Sequence, residues 1–126
     1  MSESSTALIV EDQQPIQLLI KRLASRSGCD VLTAESVAEA IRLVETNSFD
    51  LAFIDFMLPD GEGVEIARKL RAVTPHARIN LVTARGEDSI KTLALEAGCD
   101  RVIMKPFSIH EILAEFALLK SSDRSR

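Results

Sequence analysis

Five short apolar runs, each followed by a stretch of helical period, constrain this chain more than any other feature in it. The runs are Thr6 to Val10, Asp30 to Ala34, Leu51 to Asp55, Ile79 to Thr83 and Arg101 to Met104. Segments such as Ala7-Leu8-Ile9-Val10 and Leu51-Ala52-Phe53-Ile54 are apolar throughout, which suits strands covered on both faces and so a parallel sheet. Strand and helix alternating in units of about 20 to 25 residues imply right-handed crossovers and a doubly wound α/β sheet. A closed eightfold barrel needs about twice the length.

The helices announce themselves independently. Ile16, Leu19, Ile20 and Leu23 share a face, with Pro15 in the first turn and Gly28 placed to stop the helix. Ser36 and Glu39 stand at capping-box spacing before Val37, Ile41 and Val44. Val64, Ala67, Leu70 and Val73 predict a third helix, halted by Pro75. Ile90, Leu93, Ala94 and Ala97 predict a fourth, with Gly98 supplying the left-handed position after it. Ser108 and Glu111 repeat the capping box ahead of Ile112, Leu113, Phe116 and Leu119, which are expected to be buried.

At 126 residues the chain suits one domain, placed at 6–120, with Ser-rich and charged tails at 1–5 and 121–126. A formal charge of -4 without a concentrated basic face argues against direct nucleic-acid binding. No cationic stretch leads into an apolar one of signal-peptide length, and no run approaches the ~18 apolar residues of a membrane span. A cytoplasmic protein with no membrane partner is the expectation. Cys29 and Cys99 fit neither a disulfide framework nor a zinc pattern and are expected to be inert thiols on small buried sites. His76 and His110 lack partner spacing for a metal and suit surface or capping roles. Gly61 and Gly63 lack the third glycine of a dinucleotide fingerprint and suit turns.

In open α/β sheets the ligand site lies beyond the carboxyl ends of the strands. There the first strand delivers Glu11 and Asp12, the third Asp55, the fourth Thr83, and the fifth Lys105 followed by Pro106. Each has an ordinary alternative: a helix cap for Glu11-Asp12, a turn for Asp55, a strand position for Thr83, a surface stem for Lys105. Their coincidence at one sheet edge favours a site. Converging carboxylates repel unless a cation sits among them, and a few hard oxygen donors suit Mg²⁺. A lysine and a hydroxyl beside such a cation are useful if a phosphoryl group visits, because its equatorial oxygens need neutralising. A carboxylate can attack phosphorus without a base, which makes Asp55, ending a central strand, the natural acceptor.

Over residues 6–120 the chain resembles the receiver domain of two-component response regulators. The matching segments are Leu8-Ile9-Val10-Glu11-Asp12, Asp55-Phe56-Met57-Leu58-Pro59-Asp60-Gly61-Glu62-Gly63, Val82-Thr83-Ala84, Ala97-Gly98-Cys99-Asp100 and Lys105-Pro106-Phe107. The resemblance implies a flavodoxin-like (βα)5 fold with strand order 2-1-3-4-5. It implies Asp55 as phosphoacceptor, Asp12 contacting Mg²⁺ (or Mn²⁺) directly, Glu11 through water, and Met57 through its backbone carbonyl. Thr83 and Lys105 would hold phosphoryl oxygens, and a cis bond before Pro106 would turn the lysine inward.

A histidine kinase or histidine phosphotransfer protein is the implied phosphoryl donor, and a protein target or an output domain absent from this chain the implied receiver of the signal. A phosphorylation-dependent dimer is compatible with it. Such a domain is a switch, catalysing only its own phosphorylation and dephosphorylation. Two positions depart from the family: Val102 stands where an aromatic residue is usual, and Glu11 replaces the commoner Asp. Val102 leaves room for a phosphorylation-independent interaction module of the same fold. A magnesium-dependent phosphatase would want an acid two residues after the nucleophile, where Met57 stands. Met57 and Arg85 also offer no base for the attacking water, so slow hydrolysis of the phosphoryl group is expected.

Overall fold

The structure, a computed structural model, describes residues 5–124, and of residues 121–124 the backbone alone. Its main elements are β1 (Thr6–Val10), α1 (Gln14–Arg26), β2 (Asp30–Ala34), α2 (Val37–Thr46) and β3 (Leu51–Asp55), followed by a hairpin of two-residue strands, β4 (Met57–Leu58) and β5 (Gly61–Glu62). Then come α3 (Gly63–Val73), β6 (Arg78–Thr83), α4 (Asp88–Glu96), β7 (Arg101–Met104) and α5 (Ile109–Arg124). The long strands form one parallel sheet in the order β2-β1-β3-β6-β7. With the hairpin set aside, this is the order 2-1-3-4-5.

Alternating strand residues feed two cores. Leu8, Val10, Ala52, Ile54, Ile79 and Leu81 pack under α2, α3 and α4. Ala7, Ile9, Leu51, Phe53, Val82 and Ile103 pack under α1 and α5, where the Phe53 and Phe116 ring centroids lie 5.6 Å apart. Strands covered on both faces therefore need apolar residues at both parities, as their sequences supply. Positive φ at Gly28 and Gly98 carries the chain out of α1 and α4.

Several boundaries and faces differ from the sequence expectation. β6 starts one residue earlier, at Arg78. Val73 is 47% exposed, because residues spaced by three drift around a 3.6-residue helix, and nine residues after Val64 it points away; Ile66 takes the inner place. Leu113 is 37% exposed while Glu115 is buried, since Ile112, Glu115, Phe116 and Leu119 form the inner stripe of α5. α5 runs through 121–124, expected as tail, because no Gly or Pro there stops it. Residues 1–4 and 125–126 of the expected tails lie outside the described residues. At α2 the capping box is shifted: Ser36 Oγ accepts from Glu39 N, but Glu39 reaches back to Glu35 N. At α5 it is complete, with Ser108 and Glu111 exchanging both bonds.

Glu115 is held at the amino-terminal ends of β6 and β7. It accepts from Arg78 Nε at 2.6 Å and Nη2 at 3.2 Å, from Asn80 Nδ2 at 2.9 Å and from Arg101 Nη1 at 3.3 Å. Arg101 also reaches Glu111, and Asn80 donates to the Ala52 carbonyl on β3.

Candidate functional site

The carboxyl ends of the strands bring the sequence-selected residues together. Glu11, Asp12 and Asp55 each place a carboxylate oxygen within 4.8 Å of the others, with Glu11 and Asp55 buried and Asp12 exposed. Lys105 Nζ stands 3.0 Å from Glu11 Oε1 and 3.2 Å from Asp55 Oδ2. The Lys105-Pro106 bond is cis, as the resemblance implied. Thr83 is buried at the end of β6, one residue past the Val82 that pairs with Asp55. Its carbonyl accepts from Lys105 N at 2.8 Å and its Oγ1 from Arg85 N at 2.9 Å. Met57 follows on β4 with an exposed side chain, its N–H 3.4 Å from Asp55 Oδ1.

Glu11 is fixed on three sides. Its N–H continues the β1–β2 ladder to the Ala34 carbonyl, its own carbonyl accepts from Gln17 Nε2 at 2.8 Å, and its Oε2 accepts from Gln13 N at 3.1 Å. The extra methylene of Glu11 thus lets one carboxylate span Lys105 and the start of α1. Burial raises its pKa, the nearby Asp55 charge adds to that, and the Gln13 N–H and Lys105 only partly oppose it. Burial works to lower the Lys105 pKa, but its bond to Glu11 and the charges of Asp55 and Glu11 outweigh that and hold the ammonium above its ordinary value.

Three carboxylates against one ammonium leave an excess of negative charge in a partly buried corner, and the donors are hard oxygens. That donor set fits a small dication such as Mg²⁺ or Mn²⁺. An apolar cleft of about 430 Å³, lined by Ile16, Leu19, Ala84, Lys105, Pro106 and Phe107, opens beside it.

Three residues of the site's framework have roles that the sequence did not assign them, among them Gly63, expected in a turn but found as the first residue of α3. Gly63 opens α3 against β3, and an added Cβ would overlap the Asp55 carbonyl oxygen and stand 2.8 Å from Ile54 Cγ2, so close approach is what this glycine provides. Gln17 is a buried polar residue on the inner face of α1, whose signal was a polar side chain inside an apolar stripe. Asp60 bonds to α2 across more than twenty residues, a pairing with no local signature.

Outside the site, burial pushes the Cys29 and Cys99 thiols each up to about 11, with neighbouring carboxylates adding to the effect, as suits inert thiols. Cys29 is buried and Cys99 half-buried. His76 and His110 are exposed, His76 near Asp50.

The family model for the response regulator receiver domain matches residues 7–117. The alkaline phosphatase synthesis transcriptional regulatory protein PhoP of Bacillus subtilis (strain 168) is 38% identical over 117 residues, which are 92% of this chain and 49% of that protein. The phosphate regulon transcriptional regulatory protein PhoB of Pseudomonas aeruginosa is 38% identical over 111 residues, 86% of this chain and 48% of that protein. The chain thus spans about half the length of the curated relatives it matches. Among solved structures, a CheY-like response regulator receiver domain protein from Methanospirillum hungatei JF-1 superposes with a TM-score of 0.89 at 28% identity, covering 98% of this chain and all of that one.

Proposed function

Because this chain belongs to the response regulator receiver domain family, we propose that its domain at 6–120 is switched by a phosphoryl group carried on Asp55. The observation that supports Asp55 best is its position: it ends a central strand, touches Lys105 and shares a 4.8 Å cluster with two further carboxylates. Asp12 and Glu11, with Asp55 and the Met57 carbonyl, would hold Mg²⁺ or Mn²⁺, which when bound neutralises charge on the phosphoryl oxygens.

The chain's own groups do the rest. An Asp55 carboxylate oxygen forms the new O–P bond as the donor's P–N bond breaks, and the electron pair leaves with the donor imidazole. Lys105, kept protonated by its two carboxylate neighbours, turns its ammonium to a phosphoryl oxygen as the Asp55 carboxyl becomes a neutral acyl group and the negative charge comes to lie on the phosphoryl oxygens. Thr83 Oγ1, held in the resting state by Arg85 N, turns its hydroxyl to another oxygen and draws the loop Ala84 to Glu87 with it. Met57 is exposed and Arg85 is engaged with Glu87, so neither orients the attacking water and the phosphoryl group is long-lived.

The donor is a histidine kinase or histidine phosphotransfer protein, and the open apolar cleft beside Lys105 offers it a surface next to the site. The signal passes to a protein target or a linked output domain, with a phosphorylation-dependent dimer as one form of readout. The setting is cytoplasmic; among the described residues no helix is long and apolar enough to cross a membrane. Intact-mass measurement after acetyl phosphate and Mg²⁺ tests the proposal. We expect one acid-labile phosphoryl group in wild type and in Cys29→Ala, and none in Asp55→Asn. The same mass gain in Asp55→Asn would remove Asp55 from this role.

A further inference from the structure

Asp60 sits at the turn of the β4–β5 hairpin, yet both of its carboxylate oxygens serve a helix that precedes it in the chain. Oδ1 accepts from Val37 N at 2.7 Å and Oδ2 from Ala38 N at 3.0 Å. The cap of α2 itself, Ser36, takes only the next two N–H groups: Glu39 N through Oγ at 3.2 Å and Ala40 N through its carbonyl at 3.1 Å. The donors that open α2 are thus divided between its own cap and a residue 22 to 23 positions away. The Val37 and Ala38 N–H groups hold the Asp60 carboxyl below the usual carboxylate range, so the tether is charged at neutral pH.

The rest of the hairpin is fastened as well. An added Cβ on Gly61 would stand 3.3 Å from Val37 Cγ2, so the turn lies against the start of α2. On the other side Glu65 Oε2 accepts from Glu62 N at 3.2 Å, and Gly63 N donates to the Phe56 carbonyl at 2.8 Å. Leu58 is buried in the core beneath α2 and α3. The segment joining Asp55 to α3 is therefore held by both helices, and Asp60 is its charged attachment to α2.

We infer that Asp60 is a positioning residue for the cation site, tying the β4–β5 hairpin to α2 so that the backbone at Met57 is in place beside Asp55 before a cation binds. The inference rests on the proposed cation site at Glu11, Asp12 and Asp55. A loop that offers a backbone oxygen to a cation must otherwise be ordered when the cation arrives, and that ordering weakens binding. These are backbone hydrogen bonds at an exposed helix end, where water can replace a lost acceptor, so the effect of this carboxylate falls on the loop geometry more than on the fold as a whole.

The test is titration of the intact chain with Mg²⁺ alone, followed by the amide NMR shifts of Asp12, Asp55 and Met57. Asp60→Ala should weaken Mg²⁺ binding about tenfold, the lower end for lost support of a ligating group. Asp60→Asn, which keeps one acceptor oxygen, should fall between it and wild type. Ser36→Ala removes a cap from the same helix end without touching the hairpin and should leave the affinity unchanged. Wild-type affinity in Asp60→Ala, or equal weakening in Ser36→Ala and Asp60→Ala, would overturn the positioning role. A distinct result, in which Asp12→Ala binds Mg²⁺ like wild type, would overturn the cation site and this role with it.

Discussion

Glu11 and Glu115 are the same residue type, 2% and 1% exposed, and sit at opposite ends of the sheet with opposite electrostatic outcomes. Burial works to raise the pKa of both. At Glu115 the bonds from Arg78, Asn80 and Arg101 outweigh burial and hold the carboxyl below its ordinary range. At Glu11 the Gln13 N–H and Lys105 do not, and the Asp55 charge adds to the rise. Glu115 has two guanidiniums and an amide; Glu11 and Asp55 share one ammonium, with the Asp12 carboxylate beside them. The difference teaches what separates a structural charge cluster from the proposed site: the first balances its buried carboxylate with its own cations, and the second keeps an excess of negative charge that a cation would offset.

Stability measurements sharpen the contrast most. Glu115→Ala removes the acceptor of Arg78 and Asn80 and should lower stability by about 2–3 kcal/mol, read from urea unfolding. Asp55→Asn removes one of three crowded like charges and should leave stability unchanged or raise it by up to ~1 kcal/mol. A loss of similar size in both variants would erase the distinction.

The pH dependence differs in sign. Glu115 has a folded pKa below its ordinary 4.5, so its contribution is full above that value and fades as pH falls through the folded pKa. Glu11 has a folded pKa above 4.5, so its contribution is present below that value and fades as pH rises through the folded pKa. Urea midpoints between about pH 3 and 7 should therefore show Glu115→Gln flattening the acid-side loss, and Glu11→Gln flattening the loss on the way to neutrality. Identical profiles for the two variants would contradict the assigned directions.

The smallest effect concerns how the signal leaves the site. Val102 is short and stiff about χ1, and it packs with the α2–α4 core, whereas Phe107 packs on the other face with Ile16 and Leu19. Phe107 is therefore not placed to stand in for a ring at Val102. Met104, two residues along β7 on the Val102 side, reaches the switch loop: an added Cβ on Gly86 would lie 3.0 Å from Met104 Cε. Beryllofluoride should shift the amides of Ala84 to Glu87 and the Met104 methyl while the Val102 methyls keep their rotamer. A rotamer change at Val102 with a quiet loop would reverse this route.

Much of this was legible in the sequence because the site is built from strand ends. Glu11, Asp12, Asp55, Thr83 and Lys105 each follow an apolar run, and a parallel sheet brings all such ends to one edge. What stayed hidden depends on pairing at a distance. Glu115 breaks the apolar stripe of α5 and resembles a solvated charge until Arg78, Asn80 and Arg101 are seen to surround it. Leu113 and Val73 continue runs of inward apolar residues, but their angular positions on the helix turn them toward solvent. Asp60 had every mark of a turn residue, and its bonds to Val37 and Ala38 require the folded arrangement of the hairpin and α2.

The central claim is that the phosphoryl group resides on the Asp55 carboxylate, and its chemistry permits a test without any substitution. An acyl phosphate is reduced by borohydride to an alcohol, which turns a phosphorylated aspartate into homoserine, whereas a free carboxylate is untouched. Wild-type protein phosphorylated with acetyl phosphate and Mg²⁺, reduced, digested and sequenced by mass spectrometry should carry homoserine at position 55 and at no other aspartate. Homoserine at position 12 or 60, or an acid-stable phosphoryl group on Thr83 with no homoserine at all, would contradict the account.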